Sequence, residues 1–303
     1  MHASRYRALA IGAARIALLS LAAIAQSSMA QDAKLTAAKT TIEQRIALSG
    51  ADVAVYFRTL DGKAEYITRP DEPFHAASTM KVPVMIELFH QVQQGKLRLE
   101  DQILVRNDFH SMVDGSSYSL SVSDDSEGEL YKALGQPRTL VELCELMITV
   151  SSNLATNLLI EKLGVENIRA TVHGLGADGV VVLRGVEDGK AFAKGLNNLA
   201  TARGLAALLE AIAAGKAVDA RSSEAMVAIL ERQKFNEGIP AGLPRGVAVA
   251  HKTGEITKIH HDAAIVFAKR PYVLVVMVRG LADQKESAAL MSDISRELYE
   301  SSQ

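Results

Sequence analysis

The sequence predicts an α/β protein, specifically an α+β sandwich. Its five-stranded antiparallel sheet is built from both chain ends and flanked by helices, with an all-α lobe beside it. Three observations carry that prediction. Two strand-like segments joined by an Asp61-Gly62 turn lie near the start of the chain. Three more lie near its end, the last two almost wholly apolar and therefore central in the sheet. Between the two groups, apolar residues recur at helical spacing.

The elements follow in order. Leu35, Ala38, Ile42, Ile46 and Leu48 share one helical face over residues 33–48, which stops at Gly50. Residues 52–60 alternate as a strand, and 65–69 form the returning partner. Residues 78–94 are helical. Residues 101–138 are polar and rich in Ser, Asp and Gly, long for a loop, and so either functional or partly disordered. Helices follow at 139–150, 154–163 and 165–174. An irregular stretch with Gly189 and Gly195 covers 187–198, and two further helices span 200–214 and 222–232. Strands at 247–251, 262–267 and 272–278 lead to a closing helix at 282–299. The expected organisation is a discontinuous α/β domain from 31–72 and 215–303 and a helical domain from 73–214. A small-molecule cleft is expected where they meet.

Composition narrows the function. The chain has 303 residues, 48% hydrophobic and 22% charged, with a formal net charge of −2 and one Cys. Neither disorder nor a nucleic-acid footprint fits that balance. A single Cys excludes an intramolecular disulfide framework and any multi-thiolate zinc site. Arg5 and Arg7 precede an apolar run from Ile16 to Ala25, and small residues surround Ala30. That pattern is a secretory signal peptide over residues 1–30, cut near Ala30, and the run is too short for stable membrane insertion. Removing it takes away three arginines and no acid. The expected location is periplasmic or secreted; a retained anchor helix is the alternative.

Three short motifs carry chemistry, and each has a bland counterpart. Ser78-Thr79-Met80-Lys81 opens a helix: the Pro83 ring clashes with the carbonyl four residues back, so Ser78 lies in the first turn or at the cap. There the helix dipole favours developing negative charge, and a Lys81 amine of lowered pKa can take the hydroxyl proton. The bland version is a capping Ser followed by a surface Lys. Ser151-Ser152-Asn153 lies between two helices and offers a hydroxyl to relay a proton and an amide to bind a substrate amide. Ser152 or Asn153 would equally serve as a helix cap. Lys252-Thr253-Gly254 ends the predicted strand 247–251. Lys and Thr there bind a carboxylate and Gly lets substrate approach the strand edge, unless Lys252 only guards an edge strand.

Together the three motifs, in this order, are those of class A β-lactamases and penicillin-binding proteins. The chain resembles class A β-lactamases beyond the motifs, in Phe74–Lys81, in Leu143–Leu159 and in Ala241-Gly242-Leu243-Pro244 before Lys252-Thr253-Gly254. That resemblance, which runs from about Leu35 to the end, implies Ser78 as nucleophile, Lys81 as its base and Ser151 as proton shuttle. It implies Asn153 on the substrate side-chain amide, and Lys252 and Thr253 on the substrate carboxylate. The backbone N–H groups of Ser78 and of Glu255, the residue after Gly254, would form the oxyanion hole.

Three departures stand out against the family. Ser152 replaces its usual Asp. Cys144 resembles half of a family disulfide, but Met85 occupies the partner's place, so Cys144 is expected to be a buried small hydrophobe. The family's deacylating Glu is matched best by Glu187, with Asp188 beside it, yet no Asn follows four residues after either. Both could instead be solvated loop carboxylates.

His260 lies nearest to the family's usual strand Arg, and His260-His261-Asp262 hints at a metal. Adjacent strand residues point to opposite faces, however, so no metal and no cofactor is expected. The expected activity is β-lactam hydrolysis by a monomeric serine hydrolase acting on a small β-lactam or peptidoglycan-like substrate, in resistance or in cell-wall work. The alternatives are a penicillin-binding or D,D-peptidase/esterase-like hydrolase with slow β-lactam turnover, and a sensor domain that captures β-lactam covalently.

Overall fold

A computed structural model describes residues 31–303. The segment expected to be a signal peptide lies outside the described residues. Helix α1 (31–49) is followed by strands β1 (Asp52–Thr59) and β2 (Glu65–Thr68). A 3-10 turn at Ala77–Met80 then feeds α2 (Lys81–Gln93). Three helices follow, α3 (Leu140–Thr149), α4 (Asn153–Leu163) and α5 (Val165–Gly174), and then the short α6 (Gly189–Ala193). After α7 (Ala202–Ala213) and α8 (Ala220–Leu230) come strands β3 (Ala248–Ile256), β4 (Ile259–Phe267) and β5 (Tyr272–Arg279), and α9 (Gln284–Ser302) closes the chain.

The strands form one five-stranded antiparallel sheet in the order β2-β1-β5-β4-β3. The apolar β5 is its centre, because both of its faces are covered. Val273, Val275 and Met277 pack with Leu205, Leu208 and Leu209 of α7. Leu274, Val276 and Val278 pack with Ile42 of α1 and Met291, Ile294 and Leu298 of α9. Period-two alternation thus divides a continuous hydrophobic run between two cores.

Helix starts follow local chemistry. Thr139 and Glu142 form a reciprocal capping box on α3, Ser152 caps α4 through the Ala155 N–H, and Thr201 and Asp219 cap α7 and α8.

Three expectations change. The segment 101–138 folds into short paired ribbons, Gln102–Leu104 with Pro137–Thr139 and Phe109–His110 with Ser117–Tyr118, anchored by buried Phe109, Leu120 and Leu130. The stretch 187–198 contains a turn of helix, α6, capped by Asp188. The strand predicted at 247–251 runs on to Ile256, so Lys252-Thr253-Gly254 lies within it. The backbone ladder to β4 continues beneath polar side chains, which hid it from a hydrophobic pattern. No helix among the described residues is long and apolar enough to cross a membrane.

Candidate active site

Ser78 lies in the 3-10 turn that enters α2, beside Ala77, whose φ of 45° is unusual for a residue with a side chain. One turn on, Lys81 is fully buried, which removes the bland alternative of a surface lysine. Its Nζ donates to Ser151 O at 2.6 Å, to Ser151 Oγ at 3.1 Å and to Asn153 Oδ1 at 2.8 Å. Burial pushes the amine down to about 7, while Asp125 and then Glu187 pull the other way. A near-neutral lysine at the start of the helix that Ser78 leads into has the protonation chemistry a general base requires.

Ser151 takes a φ of 59°, a strained conformation for a non-glycine residue. The turn brings its hydroxyl between two amines, since Lys252 Nζ also donates to Ser151 Oγ at 3.1 Å. Lys252 is fully buried although β3 is an edge strand, which overturns the edge-guard reading. Its amine lies well below the usual lysine range because burial, and then the neighbouring Lys81, disfavour its charge.

Gly254 does different work from that expected. A Cβ there would lie 2.9 Å from Thr79 N and 3.0 Å from Ser78 N. The missing side chain therefore admits the turn that carries Ser78 against β3, before any substrate is considered. Thr253 and the exposed Glu255 flank it and line the cleft.

The two loop carboxylates separate cleanly. Glu187, with φ 60°, is exposed to the cleft and accepts from Asn153 Nδ2 at 2.7 Å. Partial loss of water raises its carboxyl above the usual range, aided by Asp125 and Asp124 and opposed by the Asn153 amide. Asp188 is buried and points inward, accepting from Ser111 Oγ at 2.9 Å and from the N–H groups of Met112 and Ala191, each at 3.0 Å. Burial works against its charge, yet these donors hold it below the usual range. It caps α6 with both carboxylate oxygens paired and only 2% exposure, so it is not a solvated carboxylate.

The cleft has two lobes that share Ser78, Asn153 and Glu255. The larger, of about 810 Å³, is lined also by Asp124, Ser151, Phe235, Glu237, Thr253, His260 and Lys285. The smaller, of about 400 Å³, runs along Val186, Glu187, Phe192 and Ile256.

His260 faces the larger lobe, with Nδ1 2.9 Å from Ser287 Oγ on α9. His261 is buried towards the opposite face, edge-on to Phe74 and 3.0 Å from His75 O. The two rings diverge as strand alternation requires, and among the described residues no group of three or more His, Cys, Asp or Glu could hold a metal. His251 is a structural histidine, its ring bridging Asp262 at 2.9 Å and Asn236 at 3.2 Å. Cys144 is a buried free thiol in the same core as Met85, its pKa raised to about 12 by burial.

Two positions carry more than the sequence signalled. Asn157 holds the loop that bears Glu187: its Oδ1 accepts from Val186 N at 2.7 Å and its Nδ2 donates to Val186 O at 3.0 Å. Gly185 makes room for it, since a Cβ there would lie 2.6 Å from Asn157 Oδ1. Asp125, in the polar segment, accepts from the N–H groups of Asn153 and Leu154. A helix-interior amide and an acid in a Ser-Asp-Gly tract give no pattern that sets them apart.

A five-stranded antiparallel sheet flanked by helices, with these serines and lysines at one cleft, defines a class A β-lactamase-like serine hydrolase. The comparisons with known proteins agree. The profile of the β-lactamase enzyme family matches residues 37–302, and the chain belongs to that family.

Beta-lactamase BRO-1 of Moraxella catarrhalis is 21% identical over 241 residues, covering 76% of this chain and 74% of its own. The solved β-lactamase of Sphaerobacter thermophilus is 26% identical with a TM-score of 0.75, covering 89% of this chain and 97% of its own. PBP-A is 28% identical with a TM-score of 0.76, covering 88% of this chain and 95% of its own.

Proposed function

We propose that the protein hydrolyses β-lactams by way of an acyl-enzyme on Ser78. One observation supports this reading above all others. Glu187 opens into a lobe that also holds Ser78, and it is joined through the Asn153 amide to the base, Lys81.

The neutral Lys81 amine takes the Ser78 proton as Oγ attacks the β-lactam carbonyl, and the N–H groups of Ser78 and Glu255 stabilise the oxyanion. Such donors contribute about 3–4 kcal/mol each to a transition state. Ser151, hydrogen-bonded to both lysines, passes a proton to the departing ring nitrogen, which breaks the lactam C–N bond. Lys252 and Thr253 bind the substrate carboxylate, and Asn153 the side-chain amide. Glu187 then removes a proton from water as that water attacks the ester carbonyl, and the proton passes to Ser78 Oγ as the ester C–O bond breaks, which restores the free serine.

The rival reading is a penicillin-binding hydrolase that acylates and releases slowly. The similarity to PBP-A and the lack of an Asn four residues after Glu187 favour it. Stopped-flow absorbance with parallel mass spectrometry, using one penicillin and one cephalosporin, separates the two. Steady turnover with a transient adduct supports hydrolysis; a persistent penicillin adduct on Ser78 rejects it. We also propose that the protein is exported and cut after Ala30, which N-terminal sequencing of the mature chain tests.

A further inference from the structure

Besides its contacts with the loop that bears Glu187 and Asp188, the segment 101–138 lays a turn over residues 150–154. Ser126 Oγ donates to Val150 O at 2.6 Å. The adjacent Asp125 accepts from Asn153 N at 3.0 and 2.9 Å and from Leu154 N at 2.9 Å. Two consecutive residues therefore hold the chain on both sides of Ser151, whose left-handed backbone costs about 1–3 kcal/mol and persists only where its surroundings impose it. The clamp is itself braced: the Tyr131 hydroxyl donates to Asp125 at 3.0 Å and the Glu127 N–H at 3.2 Å. The half-buried Asp125 carboxylate lies at the N-terminus of α4, where the helix dipole favours it.

We propose that Asp125 is a positioning residue for acyl transfer: it holds the Ser151–Asn153 turn in its strained form and places a negative charge opposite the Lys81 amine. The assignment rests on Lys81 acting as the base. The charged groups facing that amine are Asp125 from the turn, Glu187 from the loop and Lys252 from β3. Burial lowers the amine, and Asp125 is the larger of the two charges that oppose the lowering. Removing the Asp125 charge thus lowers the Lys81 titration further, so the neutral base persists to lower pH.

Two variants divide the clamp from the charge. Asp125→Asn keeps an acceptor oxygen and loses the charge; Asp125→Ala loses both. The readouts are the pH profile of Ser78 acylation by a penicillin and, without substrate, the ¹³Cε NMR titration of Lys81, assigned with Lys81→Met. Both variants should move the acid limb and the NMR titration down by about half to one pH unit. Asp125→Ala should in addition lower the plateau acylation rate by at least about tenfold, as the turn relaxes.

An unmoved Lys81 titration in Asp125→Asn, or an undiminished plateau in Asp125→Ala, overturns the proposal. If Asp125→Ala does not fold, the Asp125→Asn titration decides alone. Absent β-lactam hydrolysis in the wild type would sink the functional reading and leave the NMR test of Asp125 intact.

Discussion

Lys81 and Lys252 share one hydroxyl, each Nζ lying 3.1 Å from Ser151 Oγ. Two buried ammonium groups that close repel each other, and both amines are lowered by burial. The pair therefore gives up a proton more readily than two surface lysines would.

The pH dependence follows. With Lys81 near 7, acylation should rise with pH through neutrality and level off above it. Rapid-mixing measurements with a penicillin check this, and Ser151→Ala should slow acylation by about 10²–10⁴-fold.

The same shift has a stability consequence with the opposite sign from a surface ion pair. The Lys81 pKa falls from 10.5 to about 7 on folding, so between those values the unfolded chain binds the extra proton. The folded state therefore gains stability as pH rises through that window, and below it the full penalty applies. Lys81→Met should be inactive yet melt at a higher temperature than the wild type. The gap should be widest below about pH 7 and should narrow towards pH 10. Thermal melts across that range test it.

Glu187→Gln should leave acylation near the wild-type rate and slow deacylation by about 10²–10⁴-fold, so that intact-mass spectra show accumulated adduct. Asp188→Asn should act differently. It weakens the cap of α6 and the tie to Ser111, lowering the melting temperature and loosening Glu187 without replacing it. Equal kinetic signatures for the two variants would contradict their assigned places.

Gly254→Ala forces a methyl to within 3.0 Å of the Ser78 and Thr79 backbone, so β3 and the nucleophile's turn must part. Overpacking of this kind costs about 1–3 kcal/mol. The nucleophile's displacement should lower kcat/KM by about a hundredfold. Denaturant unfolding and steady-state kinetics measure the two effects separately.

Asn157→Ala removes the bonds of 2.7 and 3.0 Å to the Val186 N–H and C=O, leaving only the Tyr118 hydroxyl on that carbonyl at 3.3 Å. Deacylation should suffer by about tenfold or more while acylation changes little, because Val186 adjoins Glu187 and not Ser78.

Much of this was legible in the residues. The sheet was visible because β5 is apolar on both faces and the Asp61-Gly62 turn joins β1 to β2. The nucleophile's turn was visible because Pro83 restricts where α2 begins. What escaped lies where side-chain pattern and backbone geometry part company. β3 continues through Lys252, Thr253 and Glu255 because its hydrogen bonds to β4 do not depend on apolar side chains. Gly254 read as space for a substrate, and only the tertiary approach of Ser78 shows whose space it is. Asp125 gave no signal, since its partners are backbone N–H groups brought to it by the fold. Glu187 and Asp188 are adjacent and chemically alike, so only the direction of the loop distinguishes the cleft acid from the cap.

The pairing of β1 with β5 also ties together segments that lie far apart along the chain. β1 spans Asp52–Thr59, yet its central neighbour spans Tyr272–Arg279, and Lys252 reaches Ser151 through a strand of that later group. Contacts so distant along the chain form slowly. A chain lacking β5 would carry Ser78, Lys81, Ser151 and Lys252 and still lack the strand that joins β4 to β1. The two amines and the hydroxyl between them are therefore joined only by pairings between strands far apart along the chain.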